Sequence, residues 1–474
     1  MTETRRRVLL WLILAGGIAL RIGWCWTHRD EFTDDRDGYL AHAQSIASGE
    51  GYLGPYSGRP TAFRPPLYPI AIGLLQRSGC SAAVAVVLIN GLSSLAVMFL
   101  PFWLIHRTSD LFGGSSVLTL SLLLIAFDPL LIRYSSLPMT EVPCAALLIS
   151  AVTVFSRSLE GNTPQGQVGR QAFFLAGGAG LLFALGALTR PAVLVACPVT
   201  ALVPVFRQYF CSRRTALPSM QSPEHRWHCI ALSMLMLMAC GVGMSPWIIR
   251  NQIHFDRFVP ATTHGGYTLA LGNNVDFYRD VIRGDDEFPW NGDALDRWQK
   301  RVIQQAADEG IPAESEIAND AWYYQQAMAA IRQDPSAFAQ SCVLRVQRFF
   351  AVSTADPNMS GALTSMTSIW YVAVWVGLVI NSVVLIRRQD EDSRIRNASA
   401  VAVSRCTQIM CWTVVTAFVV IHLIFWTDTR MRAQVMTFIA ILSATGCSSL
   451  QKLCETRYGQ DTSINRRSSC DSLG

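Results

Sequence analysis

Ionisable residues of this chain concentrate at the ends of long apolar stretches, and their types are those that bind anions and move protons. The residues in question are Asp34, Asp35, Asp37, Glu141, Asp428, Arg64, Arg190, Arg250, Arg430 and Arg432. A planar guanidinium presents a fork of hydrogen-bond donors that matches a phosphate group. A carboxylate beside it can act as the base for an attacking hydroxyl or as a ligand for a divalent ion. Because ionised groups at a membrane boundary cost free energy unless they pair or bind something, the set predicts one shared polar cavity.

The elements that must position these residues are membrane-spanning helices. Of the 474 residues, 51% are hydrophobic and 15% are charged, and the mean hydropathy is +0.28. The apolar residues form runs of roughly 17 to 25, long enough at about 1.5 Å per residue to cross a hydrocarbon core of about 30 Å. These runs lack the alternation of a membrane-spanning strand. The sequence therefore predicts an all-α polytopic membrane protein.

Ten spanning helices are predicted, with the arginine-rich connections on one side of the membrane. The helices cover residues 8–26, 82–105, 112–132, 141–157, 170–188, 191–210, 229–249, 366–386, 402–426 and 431–448. Because Lys and Arg favour the cytoplasmic side, we expect a multi-pass protein of the inner (plasma) membrane with both termini in the cytoplasm. The basic and then apolar N-terminus lacks a small-residue cleavage site, which predicts an uncleaved first helix.

The predicted organisation alternates spanning helices with two long outer segments. Its parts are the first transmembrane helix (1–26), a first outer loop (27–81), helices two to seven (82–249), a large helical outer loop (250–365), helices eight to ten (366–448) and a cytoplasmic tail (449–474). Long ordered loops in a compact fold usually carry function. We therefore expect the working parts of the molecule in the two outer loops.

Both outer loops contain helix signals. In the first loop a helix is predicted at 37–48, and an apolar helix begins at Pro65-Pro66. Both are expected to lie on the membrane surface. In the second loop, residues 293–350 predict amphipathic helices separated by Gly310-Ile-Pro312 and Asp334-Pro335.

Composition and spacing argue against several other classes of protein. The formal charge of +5 comes from arginines spread over loops and helix ends, so no basic face for nucleic acid is predicted. Most of the thirteen cysteines lie within apolar runs and predict no disulfide framework, and only Cys80 and Cys342 are expected near the outer side. The histidines have no helical metal-ligand spacing, and no Gly-rich nucleotide-binding pattern is present.

Eight short strings along the chain carry a family resemblance. They are D-D-R-D-G-Y-L-A-H-A-Q-S-I-A-S-G-E-G-Y (34–52), P-T-A-F-R-P-P-L-Y-P (60–69), S-S-L-P-M-T-E (135–141), G-A-L-T-R-P (186–191), S-P-W-I-I-R-N (245–251), F-V-P-A-T-T-H-G-G-Y (258–267), L-G-N-N (271–274) and D-T-R-M-R (428–432). In this order they resemble GT-C glycosyltransferases, in the branch of protein O-mannosyltransferases and lipid A aminoarabinose transferases. The resemblance implies a GT-C-like bundle of about ten transmembrane helices with helical non-cytoplasmic loops.

This resemblance implies a membrane glycosyltransferase of the cell envelope that moves a sugar, with inversion, from a polyprenyl-phosphate donor to a hydroxyl of a lipid, glycan or protein. The family's catalytic carboxylate lies four residues before the loop tyrosine, which gives Asp35 before Tyr39, with Asp34 and Asp37 as neighbouring candidates. The substrate-binding candidates are Tyr39, Arg64, Tyr68, Glu141, Arg190, Arg250, Asn251, Asp428, Arg430 and Arg432. No cofactor is implied for certain, and a divalent cation remains open. The final motif departs from the family pattern at Met431 and Ala433-Gln434, which leaves donor specificity open.

Structural explanations and other functions stand beside this interpretation. The three aspartates suit the N-terminus of a helix at 37–48, and Glu141 suits the first turn of its own helix. Arg190 and Arg250 suit interfacial anchors. A lipid flippase or transporter would line a conduction path with the same charges, but broken helices and two related halves are not evident in the sequence. A non-catalytic protein that binds a polyprenyl-phosphate lipid would keep the same arginines.

Overall fold

Helices account for nearly all the regular structure. The computed structural model describes residues 3–55, 57–106, 115–160, 169–211, 223–284, 290, 292–353, 360–387 and 398–451. The main helices are α1 (Glu3–Thr27), α2 (Tyr39–Ala47), α3 (Leu67–Arg77), α4 (Ala82–His106), α5 (Ser115–Ala126), α6 (Pro129–Arg133), α7 (Glu141–Ser158), α8 (Arg170–Ala187), α9 (Val193–Cys211), α10 (Pro223–Phe255), α11 (Gly265–Gly272), α12 (Gly292–Asp308), α13 (Glu316–Gln333), α14 (Pro335–Phe349), α15 (Gly361–Arg387), α16 (Ala398–Ile424) and α17 (Thr429–Gln451). Within these ranges the β-structure is one isolated antiparallel bridge between Leu53 and Pro60.

Eight of the described helices are long and apolar enough to cross a membrane. They are α1, α4, α7, α8, α10, α15, α16 and α17, and α5 and α9 contain two shorter apolar helices. The prediction of an all-α multi-pass membrane protein is confirmed. Residues 212–222 and 388–397, which belong to the predicted arginine-rich connections, and residues 452–474 of the predicted tail lie outside the described residues.

One of the ten predicted spanning helices is divided in the structure. The run predicted at 112–132 is divided, because α5 ends at Ala126 and α6 begins at Pro129. Asp128 causes the division, since its side chain accepts a hydrogen bond from the Leu131 N–H at 2.9 Å and so caps a new helix. The run predicted at 191–210 is present as α9 (Val193–Cys211), within two residues of the predicted bounds. Hydropathy alone does not detect the break at Asp128, because the residues on either side of it are apolar.

The centre of the bundle is formed by α7 and α17, whose residues are almost all buried. Helix α7 packs against α4, α8, α16 and α17, and α8 packs closely along α10. Small residues permit the α8–α10 approach, since a Cβ added to Gly180 would lie 2.8 Å from the Cβ of Ala239. The first turns of α7 and α17 are consequently held in fixed positions by the most densely packed part of the fold.

The predicted outer helices are present as α2, α3 and α12 to α14. Helix α2 packs on α3, where Gly73 allows a close approach to Ile46. The helices of the second outer segment build a separate hydrophobic core, which contains Phe277, Trp290, Trp298 and Trp322. The helix positions agree with the prediction, whereas the side of the membrane on which they lie remains a prediction.

Candidate active site

Several helix ends meet at one place and bring ionisable residues together. Asp37 lies before α2, separated from it by Gly38, and Arg64 lies before α3, separated from it by Pro65 and Pro66. Glu141 is the first residue of α7, Arg430 lies in the first turn of α17, and Arg190 follows the end of α8. Four of these five positions lie at or just before helix N-termini, where the helix dipole presents its positive end. We call the side chains of Asp37, Arg64, Glu141, Arg190, Asp428 and Arg430 the ion-pair site.

Asp37 is the carboxylate that two arginines share. Its Oδ2 lies 3.3 Å from Arg430 Nη1, and its Oδ1 lies 3.6 Å from Arg64 Nη2. The Asp37 side chain is only 12% exposed. Burial acts to raise the pKa of Asp37, but the charges of Arg430, Arg64 and Arg190 outweigh burial, and the pKa lies below its ordinary value. Asp37 is therefore a carboxylate at neutral pH.

Glu141 and Arg190 form a second ion pair beside the first. Arg190 Nη2 lies 2.5 Å from Glu141 Oε1, and Arg190 Nε donates to Thr140 Oγ1 at 2.9 Å. Glu141 is fully buried, and its Oε2 has no hydrogen-bond partner within the described residues. Arg190 also contacts Met431 Sδ at 3.3 Å, and the side-chain oxygen of Gln434, in its hydrogen-bonded orientation, accepts from Arg190 Nη1. Met431 and Gln434, two of the residues at which the D-T-R-M-R region differs from the resembled family, thus contact Arg190.

Asp428 completes the ion-pair site and makes its formal charge zero. Its Oδ1 accepts from the Arg430 N–H at 2.9 Å, which caps α17, and its Oδ2 lies 3.5 Å from Arg430 Nε. Asp37, Glu141 and Asp428 supply three negative charges, and Arg64, Arg190 and Arg430 supply three positive charges. The side chains of Arg430 and Asp428 are 26% and 30% exposed, so this part of the site is open to solvent or ligand.

The other two loop aspartates have different surroundings. Asp35 accepts the backbone N–H groups of Leu40 and Ala41 at 3.0 and 2.9 Å, so both of its oxygens bind the first turns of α2. Asp34 pairs with Arg36 at 2.6 Å near the surface. The capping explanation thus holds for Asp35, and its role as a base remains a prediction.

Tyr39 and Tyr68 pack beneath the ion-pair site. Their ring centres lie 5.6 Å apart in an edge-to-face arrangement, and the Arg64 guanidinium lies 5.8 Å from the Tyr39 ring centre. The Tyr68 hydroxyl donates to Asn90 Oδ1 at 3.1 Å. Burial raises the pKa of both tyrosines, so they remain neutral phenols. The Tyr68 hydroxyl is used in a buried hydrogen bond, and Tyr39 is the tyrosine that contacts a charged residue, Arg64.

Arg250 and Asn251 have partners outside the ion-pair site. Arg250 donates to the carbonyl oxygens of Thr61 at 2.7 Å and Tyr52 at 2.9 Å, and Asn251 donates to the carbonyl oxygen of Val259 at 3.0 Å. These bonds fasten the backbone of both outer segments to the end of α10. A substrate role for either residue remains a prediction.

Arg432 also points away from the ion-pair site. It donates to the carbonyl oxygens of Phe349 and Ala351 at 2.9 and 2.5 Å, and its guanidinium lies 4.2 Å from the Tyr371 ring centre. It therefore joins the end of α14 to the bundle. A role in substrate binding remains a prediction here too.

Sequence reasoning missed some of the residues at the ion-pair site. Thr140 and Gln434 contact Arg190, and His264 packs beside Phe63 with its ring centre 4.3 Å away. The string T-H-G-G-Y was the available signal for His264, but only the folded chain brings it to the first outer segment. Within the described ranges, no group of three or more His, Cys, Asp or Glu side chains is arranged to hold a metal ion.

The course of the chain is similar to that of an archaeal oligosaccharyltransferase. AglB from Archaeoglobus fulgidus, solved in complex with an inhibitory peptide and a dolichol-phosphate, aligns with 96% of this chain at a TM-score of 0.53 and 14% sequence identity. The apo form of the Archaeoglobus fulgidus enzyme aligns with 98% of this chain at a TM-score of 0.55 and 14% identity. The chain has a GT-C fold. The resemblance seen in the sequence strings is therefore confirmed at the level of the fold.

The GT-C fold of this chain corresponds to part of the archaeal enzyme. The chain spans about half of that enzyme, 52% in both comparisons. The same enzyme tethered to an acceptor peptide that contains an NVT sequon gives a TM-score of 0.53 at 13% identity. By sequence, neither protein-family models nor curated proteins give a match.

Proposed function

We propose that this protein is an inverting membrane glycosyltransferase that moves a sugar from a polyprenyl-phosphate donor to a hydroxyl acceptor. The observation that carries the proposal is the convergence of Arg64, Arg190 and Arg430 with carboxylates where four helices begin. Arginine forks and helix N-termini are the two protein features best matched to a phosphate group. The fold supports the reaction class, since the archaeal enzyme that shares it is an oligosaccharyltransferase.

A lipid phosphate suits these three arginines. Their side chains are between 13% and 26% exposed, so their donors are not sealed inside the protein. Each is paired with a carboxylate, and a phosphate binds by taking over part of that pairing. The complex of the archaeal enzyme with a dolichol-phosphate supports a lipid-linked donor here.

The site is proposed to lie at the outer face of the inner (plasma) membrane, with both termini in the cytoplasm. The positively charged connections of the sequence support this orientation. The lipid donor then enters from the bilayer, and the acceptor hydroxyl, on a lipid, glycan or protein, arrives from the aqueous side.

Asp35 is the proposed base. It stands four residues before Tyr39, at the position that the family resemblance gives to the base, whereas Asp37 is held by arginines that lower its pKa and make it a weaker base than an ordinary aspartate. The acceptor oxygen bonds to the anomeric carbon as the bond from that carbon to the phosphate oxygen breaks. The hydroxyl proton passes to Asp35, and the lipid phosphate leaves with the bonding electron pair. Arginines stabilise the charge on the leaving phosphate.

The test is Asp35→Asn in the purified protein, supplied with a panel of polyprenyl-phosphate sugars and acceptors. Asparagine removes the charge and the base, and its single amide oxygen keeps one of the two backbone N–H bonds that Asp35 accepts from α2. We expect release of lipid phosphate to fall by about 10²–10⁴-fold. Asp30→Asn, at a solvent-exposed residue of the same loop, is the matched control and should keep wild-type turnover. Wild-type turnover by Asp35→Asn would remove Asp35 from the mechanism.

Asp37→Asn separates the two aspartates. Removal of the Asp37 charge releases Arg64 and Arg430 from a competing carboxylate, so we expect tighter binding of bare polyprenyl phosphate. The same assays distinguish the other candidate functions. If wild type binds the lipid but releases no lipid phosphate with any sugar of the panel, the protein is a non-catalytic protein that binds polyprenyl phosphate. Movement of the lipid between leaflets without cleavage would identify a flippase.

A further inference from the structure

A row of aromatic side chains leads away from the ion-pair site. The ring centres of Phe63 and His264 lie 4.3 Å apart, and those of His264 and Tyr267 lie 5.1 Å apart in a stacked arrangement. Phe63 is 38% exposed, and His264 and Tyr267 are half-buried. Tyr39, in contrast, is only 4% exposed. The row therefore has an exposed end at Phe63, and at Tyr267 it packs against the hydrophobic core of the outer helices.

The two outer segments hold this row in place. Glu316 of α13 accepts from the Ala62 N–H at 3.0 Å and from the Thr263 hydroxyl at 2.8 Å, so one carboxylate fixes the residues that precede Phe63 and His264. The Gly266 N–H donates to Asp320 Oδ1 at 2.6 Å, and a Cβ at Gly266 would collide with the backbone of α13. The glycines of the T-H-G-G-Y string thus permit the close approach that positions the flanking aromatic rings.

The row begins at a phosphate-binding candidate. The Arg64 guanidinium lies 5.3 Å from the Phe63 ring centre and also pairs with Asp37. A ligand whose phosphate is bound by Arg64 would therefore place the group attached to that phosphate beside Phe63. In a polyprenyl-phosphate sugar the phosphate carries two groups, the lipid chain and the sugar ring, and a row that contains a polar imidazole suits the sugar ring.

His264 supplies an unused polar atom within the row. Its Nδ1 is shielded from solvent and has no hydrogen-bond partner within the described residues. Burial, and then the charge of Arg64, lowers the pKa of His264 to about 3, so the imidazole is neutral at pH 7. A neutral imidazole has one donor and one acceptor nitrogen, which suits a hydroxyl group.

We propose that Phe63, His264 and Tyr267 form a subsite that binds the sugar ring of the donor. The inference rests on the proposed function, since it assumes that the donor phosphate occupies the arginines. A sugar ring has apolar C–H faces, which pack on aromatic rings, and hydroxyl edges, which need hydrogen bonds. The aromatic row provides the packing surface, and His264 Nδ1 provides the hydrogen bond. A sugar on this surface would have its anomeric carbon directed to the phosphate at Arg64.

The test compares the affinities of two probes for the full-length protein in nanodiscs. One probe is bare polyprenyl phosphate, and the other is the same lipid phosphate carrying a hexose or pentose from a panel. We expect wild type to bind at least one sugar-bearing lipid more tightly than the bare lipid. Phe63→Leu and His264→Phe should each reduce this preference roughly tenfold, the cost of one lost contact in a dry site, and leave affinity for the bare lipid unchanged.

Phe174→Leu is the matched control, because Phe174 is 79% exposed on α8. It should keep the wild-type preference for the sugar-bearing lipid. The subsite would be overturned if wild type bound no sugar-bearing lipid more tightly than the bare lipid. It would also be overturned if Phe63→Leu and His264→Phe lost affinity for the bare and the sugar-bearing lipid to the same extent. A change confined to the KM for the acceptor would also overturn it, by assigning the row to the acceptor. Failure of wild type to bind bare polyprenyl phosphate would instead overturn the proposed function beneath it.

Discussion

At the scale of single residues, the environment separates side chains that are identical in type. Asp34, Asp35 and Asp37 lie within four positions, yet one pairs at the surface, one caps α2 and one binds two arginines. The turn into α2 directs each side chain differently, and Gly38, at a φ of 78°, lies in the left-handed region that glycine adopts easily. Substitutions that remove one charge at a time therefore test three distinct roles.

The pH dependence of stability gives a prediction for His264. Its pKa falls from an ordinary 6.5 to about 3 in the folded chain, so below pH 6.5 the unfolded chain takes up a proton that the folded chain does not. The contribution of His264 to the free energy of unfolding is complete above pH 6.5 and is lost progressively as the pH falls towards 3. In thermal unfolding at pH 7 and pH 4, we expect the drop in Tm to be smaller for His264→Phe than for wild type.

His254→Phe provides the comparison for that measurement. His254 lies at the end of α10 and is exposed to solvent, so its replacement should leave the drop in Tm unchanged. Equal drops in wild type, His254→Phe and His264→Phe would contradict the prediction.

At the scale of elements, small residues set how closely the spanning helices approach. A Cβ at Gly180 of α8 would lie 2.8 Å from the Cβ of Ala239 and 3.0 Å from the Cys240 nitrogen on α10. A Cβ at Gly243 of α10 would lie 2.6 Å from the Cβ of Ala184. Because lipid tails are as apolar as the helices, such close packing supplies much of the association free energy in a membrane.

Gly180→Val tests this contact against Gly177→Val on the same helix. The valine at 180 overpacks the α8–α10 contact, and we expect a loss of about 1–3 kcal/mol in the free energy of unfolding. At Gly177 an added Cβ meets no atom within 4 Å, so the control carries only the helix-propensity effect of valine. Thermal unfolding in detergent measures both. Equal Tm values for the two variants would refute the role of Gly180.

The elements themselves were largely predictable from the sequence. Hydropathy predicts the long spanning helices, and proline, glycine and capping residues predict the boundaries of α2, α3 and α12 to α14. The division at Asp128-Pro129 escaped prediction because an average over a window of apolar residues does not detect a single cap. The local start signal was present in the sequence and was outweighed by hydropathy.

At the scale of the whole molecule, the outer helices and the bundle are joined by buried arginines. Arg345 of α14 donates to the carbonyl oxygens of Leu423 and Ile424 at the end of α16, at 2.7 and 3.1 Å, and to Asn273 Oδ1 at 2.8 Å. Arg432 binds the end of α14 from the other side. The L-G-N-N string thus has a structural account, since Asn273 contributes to this joint.

Membrane orientation follows from the whole chain and can be tested by cysteine labelling. Glu314, exposed between α12 and α13, should lie outside, and Glu3, exposed at the start of α1, should lie in the cytoplasm. We expect a membrane-impermeant maleimide to label Glu314→Cys in intact cells above the wild-type level. Glu3→Cys should react only after the membrane is opened. The reverse pattern would invert the proposed topology.

The composition of the site was only partly predictable, because an arginine at a helix end looks the same whatever it binds. Arg190 follows α8 and Arg250 lies in the last two turns of α10, yet Arg190 pairs with a carboxylate and Arg250 donates to backbone carbonyls. The sequence strings predict which residues gather near the outer face. They do not contain the tertiary contacts that separate a ligand-facing guanidinium from one that braces a loop.

The balanced charge of the ion-pair site has a consequence for turnover. A sugar phosphodiester carries one negative charge, whereas the phosphate monoester left after transfer carries about −1.5 to −2 at pH 7. Arginines alone would therefore retain the spent carrier more firmly than the fresh one and slow each cycle by product inhibition. In the proposed reaction, Asp37 would compete with the spent carrier for two of the same guanidinium groups, and so would speed the release of the used lipid.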